Sequence, residues 1–193
     1  MALFDEQFLR SVARSRAANL TESVTDFLNK SMSATAQRSS FHIFLSHSFV
    51  DKELILGITI HFERLGYTVY VDWKVNAEVT HDHVTKDNAE LVRRRLVQSK
   101  SLFYAHTKNA SGSKWMPWEL GYMDGKNHRS AILPIAAAAT RNNAYAGQDY
   151  LGIYPYIIRQ NDTAGRERLW VHEDAQTYVT FDAWLEGKEP YRY

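Results

Sequence analysis

No cysteine occurs in the 193 residues, and that absence excludes three kinds of chemistry at once. Disulfide scaffolds, thiol nucleophiles and zinc-thiolate sites all need a sulfur that this chain does not carry. Long apolar runs are missing as well. The longest, "AILPIAAAA" at 131–139, is too short to span a bilayer, so no membrane segment is expected. Nor is there an excess of one charge. Lys and Arg total 23 against 22 Asp and Glu, a formal net charge of +1, so the chain is not expected to bind nucleic acid. No GxGxxG, Walker, GxSxG or HExxH pattern occurs. The standard dinucleotide fingerprint, the P-loop, the hydrolase elbow and the zincin helix are therefore excluded. The triplet His81-Asp82-His83 has no third ligand at helical spacing, so it reads as a solvated loop and no metal is expected.

What remains is ordinary in bulk. Hydrophobic content of 45% and charged content of 23% suit a globular protein with a real core. Five Trp, 11 Tyr and nine Phe make it somewhat aromatic-rich, which fits bulky packing or an aromatic-lined pocket. The N-terminus has arginines, serines and alanines, but Asp5 and Glu6 come early and no secretory apolar segment follows. A cytoplasmic location is expected.

Along the chain, Phe4, Phe8 and Val12, then Leu20, Val24 and Phe27, recur at helical spacing. The polar tract "NKSMSATAQRSS" (29–40) reads as a linker, dividing a helical extension over 1–38 from a unit over 39–193. In that unit strands alternate with helices. Strands are predicted over 41–47, 67–73, 101–107, 130–136 and 154–160, and helices over 51–66, 86–100, 113–125 and 174–187. This alternation predicts an α/β fold, a parallel sheet with helices on both faces, and a ligand crevice beyond the carboxyl ends of the strands. Ser46–Phe49, Asp72–Trp73 and the segment from His106 to Glu119 fall there.

The most informative stretch is "SKWMPWELGYMDG" (113–125). Ser113 suits a helix cap and Pro117 suits a first turn, which puts Glu119 early in the helix. There the macrodipole favours a charged acid, and a solvated or capping role explains Glu119. The same spacing sets Trp115 one turn before it, a ring beside a carboxylate, which suits a ribose diol and an aromatic base. Spacing alone leaves both readings open. Trp118 and Tyr122, on the adjacent face, read as core. "FLSHSFVDKE" (44–53) offers Ser46, His47 and Ser48 to a ligand's phosphate or ribose, or merely caps a helix through Ser48.

Taken together, "HIFLSHSFVDKE" (42–53), "LGYTVYVDW" (65–73) and "SKWMPWELG" (113–121) resemble a Toll/interleukin-1 receptor (TIR) domain of the bacterial type. The resemblance implies a three-layer α/β/α fold with a five-stranded parallel sheet in flavodoxin-like order 2-1-3-4-5. It implies NAD+ as substrate rather than a bound cofactor, with Glu119 as the carboxylate needed to cleave the nicotinamide–ribose bond. Trp115, Ser46, His47, Ser48, Asp72 and Trp73 become substrate-binding positions. A gating loop over 73–85 implies self-association, and a nucleotide product implies a downstream effector that senses it during defence against phage. Linear ADP-ribose and a cyclic ADP-ribose are both open as products. A non-catalytic assembly module and a nucleoside deoxyribosyltransferase-like enzyme remain as alternatives.

Overall fold

The structure, a computed structural model, describes residues 3–20, 38–72, 85–138, 145, 147 and 149–192. Phe41–Ser46 (β2) is buried at almost every position, as befits a strand covered on both faces. It pairs in parallel with Val69–Tyr70 (β3) on one side and Ser99–His106 (β4) on the other. Ser130–Ala136 (β5) and Tyr156–Asn161 (β6) continue the sheet in parallel. The spatial order of these five is β3-β2-β4-β5-β6. This is the 2-1-3-4-5 order expected for the parallel core.

The sheet extends further than the sequence reading foresaw. Glu167–His172 (β7), Thr177–Thr180 (β8) and Tyr191–Arg192 (β9) add antiparallel strands beyond β6. The β6–β7 hairpin closes where Asp162 accepts the amides of Ala164 and Arg166 and Gly165 takes φ 78°. The helix predicted over 174–187 is shortened at its start, because Thr177–Thr180 is a strand paired with β7. Only Phe181–Leu185 (α5) is helical, capped by the Thr180 hydroxyl.

Alternation along the strands builds two cores. Ile43, Leu45, Phe103, Ala131 and Leu133 face one side, where they meet Leu54, Ile58 and Phe62 of Lys52–Arg64 (α2) and Phe181 and Trp184 of α5. Phe44, Leu102, Tyr104 and Ile132 face the other. There they meet Val92 and Leu96 of Lys86–Val97 (α3) and Met116, Leu120 and Met123 of Trp115–Asn127 (α4).

The N-terminal segment joins this body. Phe4–Asp5 (β1) pairs in parallel with the end of β5, and Glu6–Leu20 (α1) lies on α2. This explains why α2 is apolar nearly all round: Leu56 and Ile60 face away from the sheet and pack on Val12 and Ala13. Arg10 and Arg14 both reach Glu53 across the seam. At the crossing a Cβ on Gly57 would lie 2.2 Å from the Leu9 carbonyl oxygen. Gly57→Ala is therefore expected to destabilise by at least about 2 kcal/mol, roughly 4–8 °C in Tm for a chain of this length. Gly125→Ala, where nothing lies within 4 Å of the added Cβ, should stabilise by about 0.5–1 kcal/mol. Thermal melts of the two variants check both signs.

Candidate active site

Four buried residues on α4, Met116, Glu119, Leu120 and Met123, recur at helical spacing and share one face. Glu119 occupies a core position of an amphipathic helix and is 6% exposed. The Ser113 hydroxyl accepts the Met116 amide at 3.3 Å, which starts the helix late enough to put Glu119 in its second turn. The expectation of a dipole-favoured, ionised acid does not survive this placement. Burial, and then the charge of Asp72, push the Glu119 carboxyl up to about 8, against a hydrogen bond from Ser46 that favours the charged form.

That bond joins β2 to α4: the Ser46 hydroxyl donates to Glu119 Oε2 at 2.5 Å. Ser46 is the last residue of β2, where the chain turns toward α2 and the strand order reverses. The next residues are buried too. His47 Nδ1 lies 3.2 Å from the Leu45 carbonyl, and burial holds the imidazole down at about 4, so it is neutral at physiological pH. Ser48 makes no side-chain cap; its carbonyl accepts the Asp51 amide instead. Asp72 is buried just past β3. Burial and the Asp72 charge raise the neighbouring Tyr70 hydroxyl well above its ordinary range, while the Arg95 guanidinium lies over the ring at 5.3 Å. Glu119 thus has Asp72 and Tyr70 on the β3 side and Tyr104 on the β4 side, where its charge helps push the phenol up.

Trp115, at the start of α4, is half-buried and meets Trp118 edge-to-face at 5.4 Å. Trp118 and Tyr122, expected in the core, are half-buried at its margin, packed on each other at 5.9 Å with Arg93 over Trp118. Core contact on α4 is made one residue further round, by Met116, Leu120 and Met123. Trp73 and the His81–His83 triplet lie outside the described residues. Among the described residues no His, Asp and Glu groups converge as a metal site.

A further acid holds the turn before α2 in place. Asp51, buried, accepts the Thr107 hydroxyl at 2.6 Å and the Asn109 amide nitrogen at 2.7 Å. It ties the turn carrying Ser46–Ser48 to the loop that leads into α4. Asp51→Ala should lower stability by about 2 kcal/mol, since two hydrogen bonds are lost and the Thr107 hydroxyl stays buried without its acceptor. Chemical denaturation measures it.

No family model matches the chain. A protein of Bacillus cereus (strain MSX-D12), "Probable 3' cyclic ADP-D-ribose synthase ThsB'", is 38% identical over 194 residues, covering 96% of this chain and 99% of that protein. The chain belongs to the ThsB-like family of TIR proteins. A Cytobacillus dafuensis protein named for cyclic ADP-D-ribose synthesis, TIR2, is 28% identical over 99 residues, half of this chain and 26% of that protein. The ThsB-like match spans nearly the whole chain, so it takes in the N-terminal segment that docks on α2 as well as the residues around Glu119. Among the described residues no helix is long and apolar enough to cross a membrane.

Proposed function

We propose that this ThsB-like chain cleaves the nicotinamide–ribose bond of NAD+ and closes the remaining ADP-ribose into a cyclic product that serves as a signal in anti-phage defence. The observation that carries this reading is the buried Glu119 with Ser46 at 2.5 Å, at the carboxyl edge of the sheet. It occurs in a chain matched nearly end to end by a named cyclic ADP-ribose synthase.

The chemistry suits the site. Nicotinamide leaves a cationic ring nitrogen, so departure needs no proton donor. It needs a negative charge close to the anomeric carbon, where positive charge develops. Glu119 supplies that charge when ionised. Burial disfavours ionisation of Glu119, and the cationic ring of bound NAD+ favours it, so the carboxylate is made where the cation sits. Ser46 holds the carboxylate in place. Trp115 stacks on the dinucleotide. Ser46, His47 and Ser48 line the approach, Asp72 closes the β3 side, and Trp73 is a further substrate-binding residue.

The chain works in the cytoplasm, associates with itself through residues 73–85, and hands its nucleotide to a downstream effector. Nicotinamide release measured over a range of protein concentrations tests the enzymatic reading and the association together. Turnover per protomer should rise with concentration. No release at any concentration would leave a non-catalytic assembly module in its place.

A further inference from the structure

Beside Glu119, on the side away from β3, lies a group of side chains with no part in the cleavage step. Register places Ser46, Tyr104, Ile132 and Tyr156 in one row across β2, β4, β5 and β6. Tyr104 and Tyr156 stand on the face covered by α4. Tyr104 is buried, and the Tyr150 side chain lies near enough to its hydroxyl to help raise the phenol's pKa. Further along, the Tyr145 hydroxyl meets His106 Nδ1 at 3.1 Å, and the Tyr145 ring lies 5.9 Å from Tyr156.

The turn that carries Tyr150 is pinned on several sides. Asp149 takes φ 49°, a left-handed conformation rare for a residue other than glycine. A Cβ on Gly147 would lie 2.4 Å from the Gly152 backbone, so the two ends of the turn touch. Leu151 is buried in the core, and the Tyr154 hydroxyl donates to Asp124 of α4 at 3.3 Å. The outcome is a tyrosine held beside Tyr104 that stays 48% exposed. Core packing does not require an open ring at a strained turn.

We propose that Tyr104, Tyr145 and Tyr150, with His106, form a second aromatic subsite that holds the adenosine end of NAD+ beside Glu119. This rests on the reading of the pocket as an NAD+ site. Cyclisation requires that both riboses of one NAD+ meet at one carboxylate, so the molecule must fold back on itself. Aromatic faces hold a base by stacking. The phenol and imidazole groups supply donors and acceptors without net charge, because burial keeps His106 below its usual pKa. The C–N bond to nicotinamide breaks, its electron pair leaving on the ring nitrogen. A hydroxyl oxygen of the adenosine ribose bonds to the same carbon, and its proton passes to the Glu119 carboxylate and on to water. NAD+ becomes nicotinamide, cyclic ADP-ribose and one proton. With the stack removed, water takes the place of that hydroxyl and the product is linear.

The test is chromatography with mass detection of NAD+ incubated with full-length wild type, Tyr150→Ala and Tyr150→Phe. In Tyr150→Ala the ratio of cyclic to linear product should fall at least about tenfold, the scale of one lost base–aromatic stack. Nicotinamide release is recorded in the same runs, so the ratio is read per bond cleaved. Tyr150→Phe retains the ring and should keep most of the cyclic product. An unchanged ratio in an active Tyr150→Ala overturns the subsite alone. A wild type that releases no nicotinamide overturns the NAD+ reading itself, and the subsite with it.

Discussion

Glu119→Gln should abolish NAD+ cleavage, lowering nicotinamide release by roughly 100–1000-fold or more, the cost of removing a preorganised charge from a developing transition state. The substitution keeps shape and an acceptor for the Ser46 hydroxyl, so the loss is electrostatic. Its effect on stability runs the other way. The folded-state pKa of Glu119 is raised from 4.5 to about 8, so the folded chain binds the proton more tightly than the unfolded chain. The stability this contributes is fully present below about pH 4.5 and is lost as pH rises toward 8, at about 1.4 kcal/mol per pH unit. Gln has no such titration. Melting curves should therefore show Glu119→Gln gaining on wild type from pH 5 to pH 8. A protein that is more stable at pH 8 yet inactive cannot owe its inactivity to unfolding. Equal nicotinamide release by the two proteins would remove Glu119 from the mechanism.

The rate should also follow pH in a way set by the groups around Glu119. If the ionised form acts, kcat/KM rises with pH through the free-enzyme midpoint near 8. Below it the fall is about tenfold per pH unit. The causes of the shift give variants of opposite sign. Asp72 raises the Glu119 pKa by like-charge repulsion, so Asp72→Asn moves the midpoint down. Ser46 lowers it through a hydrogen bond to the charged form, so Ser46→Ala moves the midpoint up. The observed values belong to the Glu119–Asp72 pair and not to one residue. Steady-state rates from pH 6 to 9 for the three proteins check this. A flat profile, or midpoints moving the same way in both variants, would contradict the assignment.

Much of the fold was legible because it is local. The apolar strands 41–46 and 130–136, and the helices between them, are marked by period and by end signals such as Gly66, which takes φ 92° after α2. The antiparallel extension was harder to see. Thr177–Thr180 is a strand because β7 lies beside it, and nothing in those four residues names that partner. The Gly57 contact is similar: α2 reads as a long apolar helix, but only the structure brings α1 to its outer face.

At the site the same divide holds. The register 116, 119, 120, 123 was present in the sequence, yet an acid in that register reads as surface until Ser46 stands opposite it. Glu119 lies early in its helix as expected, but its burial outweighs the dipole that would favour the charged form. Asp51 meets Thr107 across 56 residues of chain. Tyr104 meets Tyr150 from another strand and another loop. Contacts of that kind leave no periodic trace in the sequence.

The central claim is that one pocket around Glu119 both cuts NAD+ and closes the product. Mass spectrometry of NAD+ incubated with the purified full-length protein tests it most directly. The account predicts nicotinamide and an equal amount of a species lighter than ADP-ribose by one water. ADP-ribose as the sole product would contradict ring closure, and intact NAD+ at every protein concentration would contradict the enzyme.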